Sequence, residues 1–346
     1  MATLNISSPP AALRPSQPTN RDIRIIPVLF VLHGVLGMSI IILNSFLIFV
    51  FCRRRPLRSV GSALMVLLAF ADQGVGCVLL VPLLHSSWNL HIKQLHCNLI
   101  GYFFSTSFSS SLYSILLLSL DRLVFILHPL RYKYICSKRL VGIGVVACWL
   151  FCYGFWLFPV LGVGSFHFEQ NCVMCMFNWA RHPVQWVIYV ICLFFGPTLV
   201  TGTCYHSVWK ISRFHEAGSI RGAEPSQRKA SRRSMRTDGK ALRTVLVIVG
   251  VFYVSWVPFI SVSIFEAVQG WVLYGWVHTT MHFFAAINSL WNPLIYIGTN
   301  RKFRAAAKEL LVACCKRSSP ASPTMRPLAL EMSALSSERR FVTGEI

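Results

Sequence analysis

The run AVQGWVLYGWVHTTMHFFAAINSLWNPLIYIGTN, residues 267–300, continues for 34 residues without one Asp, Glu, Lys or Arg. A helix rises about 1.5 Å per residue and about 20 apolar residues cross the hydrocarbon of a bilayer, so this stretch is long enough to span it. Working outward, the same freedom from charge recurs over residues 25–52, 94–120, 140–168, 182–209 and 244–265, and a further stretch over residues 60–84 holds one charge, Asp72. These make seven spans, and an odd number puts the two termini on opposite sides of the membrane.

Composition agrees. Of 346 residues 54% are apolar and only 13% charged, yet 33 Lys and Arg against 12 Asp and Glu leave a net charge of +21. Soluble domains carry about a quarter charged residues. A nucleic-acid binder or a disordered tail would not combine so strong a charge with so apolar a chain. The charge is segregated: 28 of the 33 basic residues fall in the loops after spans one, three and five and in the C-terminal tail. By the positive-inside rule those segments are cytoplasmic and the N-terminus is extracellular. The first apolar run is too long for a cleaved signal peptide and lies behind a polar, Pro-rich tail. That tail carries a glycosylation sequon, Asn5-Ile6-Ser7, on the side where it is usable. Residues 213–237 and the chain beyond residue 317 read as unstructured, and no internal repeat of the kind found in many transporters is visible.

Polar groups inside the spans come next. A carboxylate at mid-bilayer costs about 2.5–3.5 kcal/mol even on lenient scales, so Asp72 faces the bundle and has partners. Asn288 and Asn292, four apart on one helix face with Ser289 beside them, are candidates. Pro293 removes the amide that would bond the carbonyl of Ser289. Pro197 and Pro258 do the same to Leu193 and Val254, so three kinked helices surround a polar centre.

Across residues 25–312 the chain resembles the rhodopsin-like (class A) G-protein-coupled receptors. The resemblance rests on Asn44; Leu68-Ala69-Phe70-Ala71-Asp72; Cys97; Asp121-Arg122-Leu123; Trp149; Pro197 and Tyr205; Phe252 with Trp256-Val257-Pro258; and Asn292-Pro293-Leu294-Ile295-Tyr296, in the family's order. It implies an all-α membrane protein, a seven-transmembrane helix bundle with a short amphipathic helix 8. It implies a sodium site from Asp72, Ser111, Asn288, Ser289 and Asn292, an all-oxygen set suited to a hard cation. It implies a G-protein switch in which Asp121 holds Arg122 at rest, Asp238 is a distal partner, Tyr205 and Tyr296 meet on activation, and Leu130 inserts into the G protein. Trp256 and Phe252 resemble the aromatic switch that couples a ligand pocket to the swing of span six about Pro258, with Pro197, Asn292 and Pro293 bending the other helices. Leu123 replaces the family's usual tyrosine and Ser255 its usual cysteine.

The same resemblance implies a disulfide from Cys97 to Cys172 or Cys175, with Cys172 preferred, and palmitoylation of Cys314 and Cys315. The ligand pocket by analogy comprises Phe104, Phe108, Tyr189, Trp256, Phe259, His278 and His282, with Glu266 near the mouth. Phe104 stands where amine receptors carry aspartate, and Ala286 where opsins carry the retinal lysine, so aminergic ligands and covalent retinal are disfavoured. His278 and His282 are one turn apart, and two readings stay open: hydrogen-bonding pocket histidines, which is favoured, or a metal or proton sensor with Glu266. Ser231 and Ser234 follow basic residues as kinase substrates do, and the serine-rich tail suits receptor kinases and arrestin.

The resulting expectation is an extracellular tail (1–24), a receptor domain (25–299), an amphipathic helix (300–313) and a cytoplasmic tail (314–346). The chain is expected in the plasma membrane as a multi-pass protein, in contact with membrane lipid. It would bind an extracellular small neutral or lipid-like ligand, with a peptide the weaker choice, and activate a heterotrimeric G protein by outward movement of span six. Neither enzymatic activity nor nucleic-acid binding is expected, and sodium is the one expected bound ion. The competing reading is a seven-span transporter or channel with Asp72 as its ion site.

Overall fold

The computed structural model describes residues 20–54, 59–81, 83, 93–169, 174–179, 181–219, 225–270 and 275–318. Its helices are α1 (Asn20–Arg53), α2 (Val60–Leu79), α3 (Gln94–Leu127), the short α4 (Tyr132–Ile135), α5 (Lys138–Val160), α6 (Pro183–Tyr189), α7 (Gly196–Ser219), α8 (Pro225–Gln269), α9 (Gly275–Thr299) and α10 (Arg301–Ser318). Side-chain caps start several of them. The hydroxyl of Ser59 accepts from the amide of Ser62 at 3.2 Å, that of Ser137 from Leu140 at 3.3 Å, and the Asn300 side chain from Phe303 at 3.0 Å.

Among the described residues six helical segments are long and apolar enough to cross a membrane: Val31–Arg53, Val60–Leu79, Gln94–Leu127, Lys138–Val160, Pro183–Cys204 and Leu246–Gln269. The 25-residue α9 is the seventh helix of the bundle. The distribution of polarity is that of a membrane protein. Leu140, Ile143, Val146, Leu150 and Phe158 of α5 are exposed, whereas Asn44, Asp72, Ser109, Ser110, Ser111, Asn288 and Asn292 are buried. Helices surrounded by lipid gain nothing by hiding Leu, but must pair every polar group inside. Small residues let backbones meet, and a Cβ on Gly37 of α1 would lie 2.8 Å from the Gly76 carbonyl of α2. The serines of α3 are accommodated within their own helix, Ser109, Ser114 and Ser119 each donating to the carbonyl four residues back.

The proline expectations are met in part. Asn44 donates to the Ser289 carbonyl at 3.1 Å, so the acceptor that Pro293 releases is satisfied from α1. At Pro197 the orphan is a different one. Residues Val190–Phe195 between α6 and α7 are π-helical, the Gly196 amide bonding the Ile191 carbonyl. In that wider register the residue five before Pro197 loses its partner, which is Cys192 and not Leu193, and the Tyr113 hydroxyl of α3 donates to the Cys192 carbonyl at 2.9 Å.

One departure from an all-helical chain is a hairpin between α5 and α6, with β1 (Phe166–Glu169) antiparallel to β2 (Met174–Phe177). It carries a correction. The disulfide joins Cys97 to Cys175, with Cα atoms 5.2 Å apart, and not Cys97 to Cys172. Cys175 pairs with Phe168 inside the hairpin, and the hairpin packs on α3 near Cys97, where the Gln94 side chain donates to the Phe166 carbonyl at 2.7 Å. Strand pairing therefore fixes which cysteine reaches α3. Cys172 lies outside the described residues.

Candidate functional site

Three assemblies lie along the axis of the bundle. At mid-membrane Asp72 is fully buried. Its Oδ1 accepts from Ser111 at 2.9 Å and its Oδ2 from the Asn292 amide at 2.7 Å. The amide nitrogen and oxygen of Asn288, one turn before Asn292 on α9, the Oδ1 of Asn292 and the Trp256 indole nitrogen of α8 are buried without a protein partner. Buried polar atoms are rarely left unbonded. Water or a cation would complete these groups, and neutral oxygens on the helices that meet at one carboxylate suit a hard cation.

At the C-terminal end of α3, Arg122 donates through Nε to Asp121 Oδ2 at 2.9 Å, and its Nη2 reaches the same oxygen. The other oxygen of Asp121 accepts from the Tyr132 hydroxyl of α4 at 2.6 Å. Burial and the neighbouring Asp121 hold the Tyr132 phenol well above its ordinary range, so it stays a donor. Gly61, in the first turn of α2, abuts this clasp: a Cβ there would collide with the Arg122 guanidinium and lie 3.2 Å from Asp121 Oδ2. Beyond the clasp, Leu130 is 99% exposed.

Toward the opposite end, a cavity with about 480 Å³ of empty space, counted to its open mouth, is lined by Phe104, Ser105, Phe108, Trp156, Cys175, Met176, Phe177, Trp179, Tyr189, Trp256, Phe259, His282 and Ala285. Among the described residues that line it, none is an Asp, Glu, Lys or Arg. Rings run down from it in contact. His282 stacks on Phe104 at 6.2 Å, Phe104 meets Phe108 at 4.6 Å, and Phe108 meets Trp256 edge to face at 4.9 Å. Trp256 stacks on Phe252 at 5.7 Å, which meets Phe194 at 6.4 Å.

A profile described as 7 transmembrane receptor (rhodopsin family) matches residues 43–296. The chain belongs to the rhodopsin family of seven-transmembrane receptors. It is 25% identical over 319 residues to melatonin receptor type 1A of Gallus gallus, covering 89% of this receptor and 85% of that one. It is 27% identical over 283 residues to a melanopsin-like protein of Danio rerio, covering 79% of this receptor but only 56% of the relative. A solved structure of squid rhodopsin superposes with a TM-score of 0.76 at 20% identity, covering 89% of this receptor and 91% of that chain. At that identity it shows the fold alone. Family membership makes the chain a class A G-protein-coupled receptor and a multi-pass membrane protein, not an enzyme.

Within the receptor, Phe104, Phe108, Tyr189, Trp256, Phe259 and His282 of the expected pocket do line one cavity. Glu266 does not. It is buried seven residues beyond Phe259, about 10 Å further along α8. Among the described residues no three His, Cys, Asp or Glu side chains converge as a metal site. Tyr296 is buried between Phe51 and Phe303, each with its ring centre 5.4 Å away. Asn5 and the side chains of Tyr205, Asp238, His278, Cys314 and Cys315 lie outside the described residues. Sequence reasoning missed six participants. Tyr132 and Gly61 carry no periodic or motif signal, Tyr113 answers a register change that only the fold reveals, and the hairpin residues Met176, Phe177 and Trp179 sit in a loop whose course the spans do not specify.

Proposed function

We propose that the receptor resides in the plasma membrane with its N-terminus outside, admits a small neutral or lipid-like ligand to the cavity above Trp256, and activates a heterotrimeric G protein by outward movement of the cytoplasmic half of α8. The observation that carries this reading is the continuous run of ring contacts from His282 through Trp256 to Phe252 and Phe194, which couples the cavity to α8 close to Pro258. The exposed Leu130 and the excess of basic residues on the same side supply an apolar anchor and a field for an acidic partner and anionic lipid. The lack of a lysine in residues 267–300 argues against covalent retinal, whatever the relatives carry. On this reading Asn5 is glycosylated, Cys314 and Cys315 are palmitoylated, and the tail serines recruit receptor kinases and arrestin.

The test is a ligand-free G-protein dissociation panel covering every Gα class. Wild type is expected to signal above mock-transfected cells with at least one class, and Arg122→Ala to fall to the mock level at equal surface expression. An Arg122→Ala signal equal to wild type would remove the assigned switch.

Asp72, Ser111, Asn288, Ser289 and Asn292 fit a sodium ion, because Ser111 and Asn292 already bond the buried Asp72 carboxylate and the oxygens of Asn288 and Asn292, one turn apart on α9, are buried without a protein partner. When bound, the ion supplies a positive charge that favours the state in which these side chains are gathered. Replacing sodium by N-methylglucamine at constant ionic strength is expected to raise ligand-independent exchange by about threefold, a bias below 1 kcal/mol. In Asp72→Asn the two salts should give one rate. Persistent sodium sensitivity in that variant would place the ion elsewhere.

A further inference from the structure

Hydroxyls on the outer surface of the bundle follow one habit. Ser39, Thr203, Ser207 and Ser261 each donate to a carbonyl three or four residues back in their own helix, at 2.7–2.9 Å. Their protons are spent before lipid meets them. Ser45 of α1 breaks the habit. It is exposed, makes no such bond among the described residues, and accepts from the Gln73 side chain of α2 at 2.6 Å. That bond leaves the Ser45 proton, one Gln73 amide proton and the Gln73 carbonyl oxygen unspent.

Depth decides what can meet them. Ser45 and Gln73 lie within four residues of the centres of their spans, Val31–Arg53 and Val60–Leu79. Lipid headgroups and sterol hydroxyls stay at the interface, roughly 15 Å from the midplane of the hydrocarbon core. Only another membrane-spanning helix brings polar atoms to this level. Because the pair holds donors and an acceptor together, a copy of itself is a sufficient partner. Two copies inserted in the same direction, related by a twofold axis along the membrane normal, meet with each residue at the depth of its own counterpart. The match in level is then automatic, which no unrelated helix guarantees.

The surface around the pair has the form of a seam. On α1 Val35, Met38, Ile42, Ser45, Phe49 and Cys52 are all exposed and recur at alternating intervals of three and four residues, as in a helix-to-helix contact with one polar residue near its centre. The outer face of α5 has no such centre: from residue 143 to 150 its exposed residues, Ile143, Val146, Ala147 and Leu150, are all apolar. Lipid covers a face of that kind without loss. We propose that the outer face of α1, with Ser45 and Gln73 at its centre, is the surface through which two copies of this receptor pair in the membrane. On pairing, the Ser45 hydroxyl of each copy donates to the Gln73 carbonyl oxygen of the other.

The experiment measures energy transfer between donor- and acceptor-labelled full-length receptors in liposomes as the receptor-to-lipid ratio is lowered. Wild type is expected to transfer above the level of random proximity. Gln73→Leu and Ser45→Ala should each move the midpoint of the dilution series at least about fivefold toward higher receptor content, and Leu150→Ala should leave it in place. Two variants are used because Gln73→Leu could loosen α1 from α2, whereas Ser45→Ala removes one hydroxyl; equal thermal midpoints confirm that both are folded. Cys52 lies on the same face seven residues from Ser45, so oxidation with copper phenanthroline should yield a peptide joined from Cys52 to Cys52, identified by mass spectrometry. Transfer in wild type no higher than random proximity, midpoints unchanged in the folded variants, or crosslinks that do not include Cys52 would each overturn the proposal. No G protein or ligand is present, so the result is independent of the dissociation panel.

Discussion

Cys175→Ser is expected to remove most of the receptor from the cell surface, and Cys172→Ser to leave its amount unchanged. The disulfide joins residues 78 apart in sequence. Closing a free loop of that length stabilises by about 4–5 kcal/mol on the chain-entropy account. Here α3 and α5 are already held by the membrane before the bundle packs, so a contribution of about 2–3 kcal/mol is the better expectation. That is a large share of a stability of about 5–15 kcal/mol. The loss falls on the hairpin first, because Cys175 is buried in β2 and its neighbours Met176 and Phe177 line the cavity. Surface staining and the thermal midpoint of the purified variants check this. A normal Cys175→Ser with a depleted Cys172→Ser would reverse the pairing.

That pair of cysteines shows where sequence reasoning stopped. The bundle was legible because a bilayer imposes one length and one polarity on every span, and residues such as Leu150 or Asp72 have only one comfortable side to face. The polar centre was legible for the same reason. A buried carboxylate demands donors, and Ser111 and Asn292 supply them. Nothing comparable constrains a loop. Cys172 and Cys175 are three apart, and only the pairing of Cys175 with Phe168 decides between them. The strands FHFE and MCMF are too short and too irregular in polarity to announce a hairpin inserted on both faces. Pro197 announced a lost hydrogen bond correctly, but the carbonyl left over depends on helical register, which a proline does not specify.

Gly61→Ala is expected to raise ligand-independent G-protein activation by about tenfold, and to do so only while Arg122 is present. The added methyl would occupy the volume of the Arg122 guanidinium and crowd Asp121 Oδ2. The far end of arginine is the easiest group to displace, so α2 keeps its place and the clasp opens. A charge-assisted hydrogen bond contributes about 1.5–3 kcal/mol, and weakening one of the two from Arg122 to Asp121 costs the resting state about 1.4 kcal/mol. When the active state is a minor population, that amount raises it about tenfold. Tyr132→Phe attacks the same carboxylate from the other side, removing the 2.6 Å donor on Oδ1. It should act in the same direction and more weakly, since Asp121 keeps its bonds to Arg122. Because both variants work through one carboxylate, their combination should fall short of the product of the two effects. Basal nucleotide exchange at matched receptor density, with Gly61→Ala/Arg122→Ala as the control, measures all of this. A well-expressed Gly61→Ala receptor with wild-type basal exchange would show that Arg122 can leave Gly61 without opening this end of the bundle.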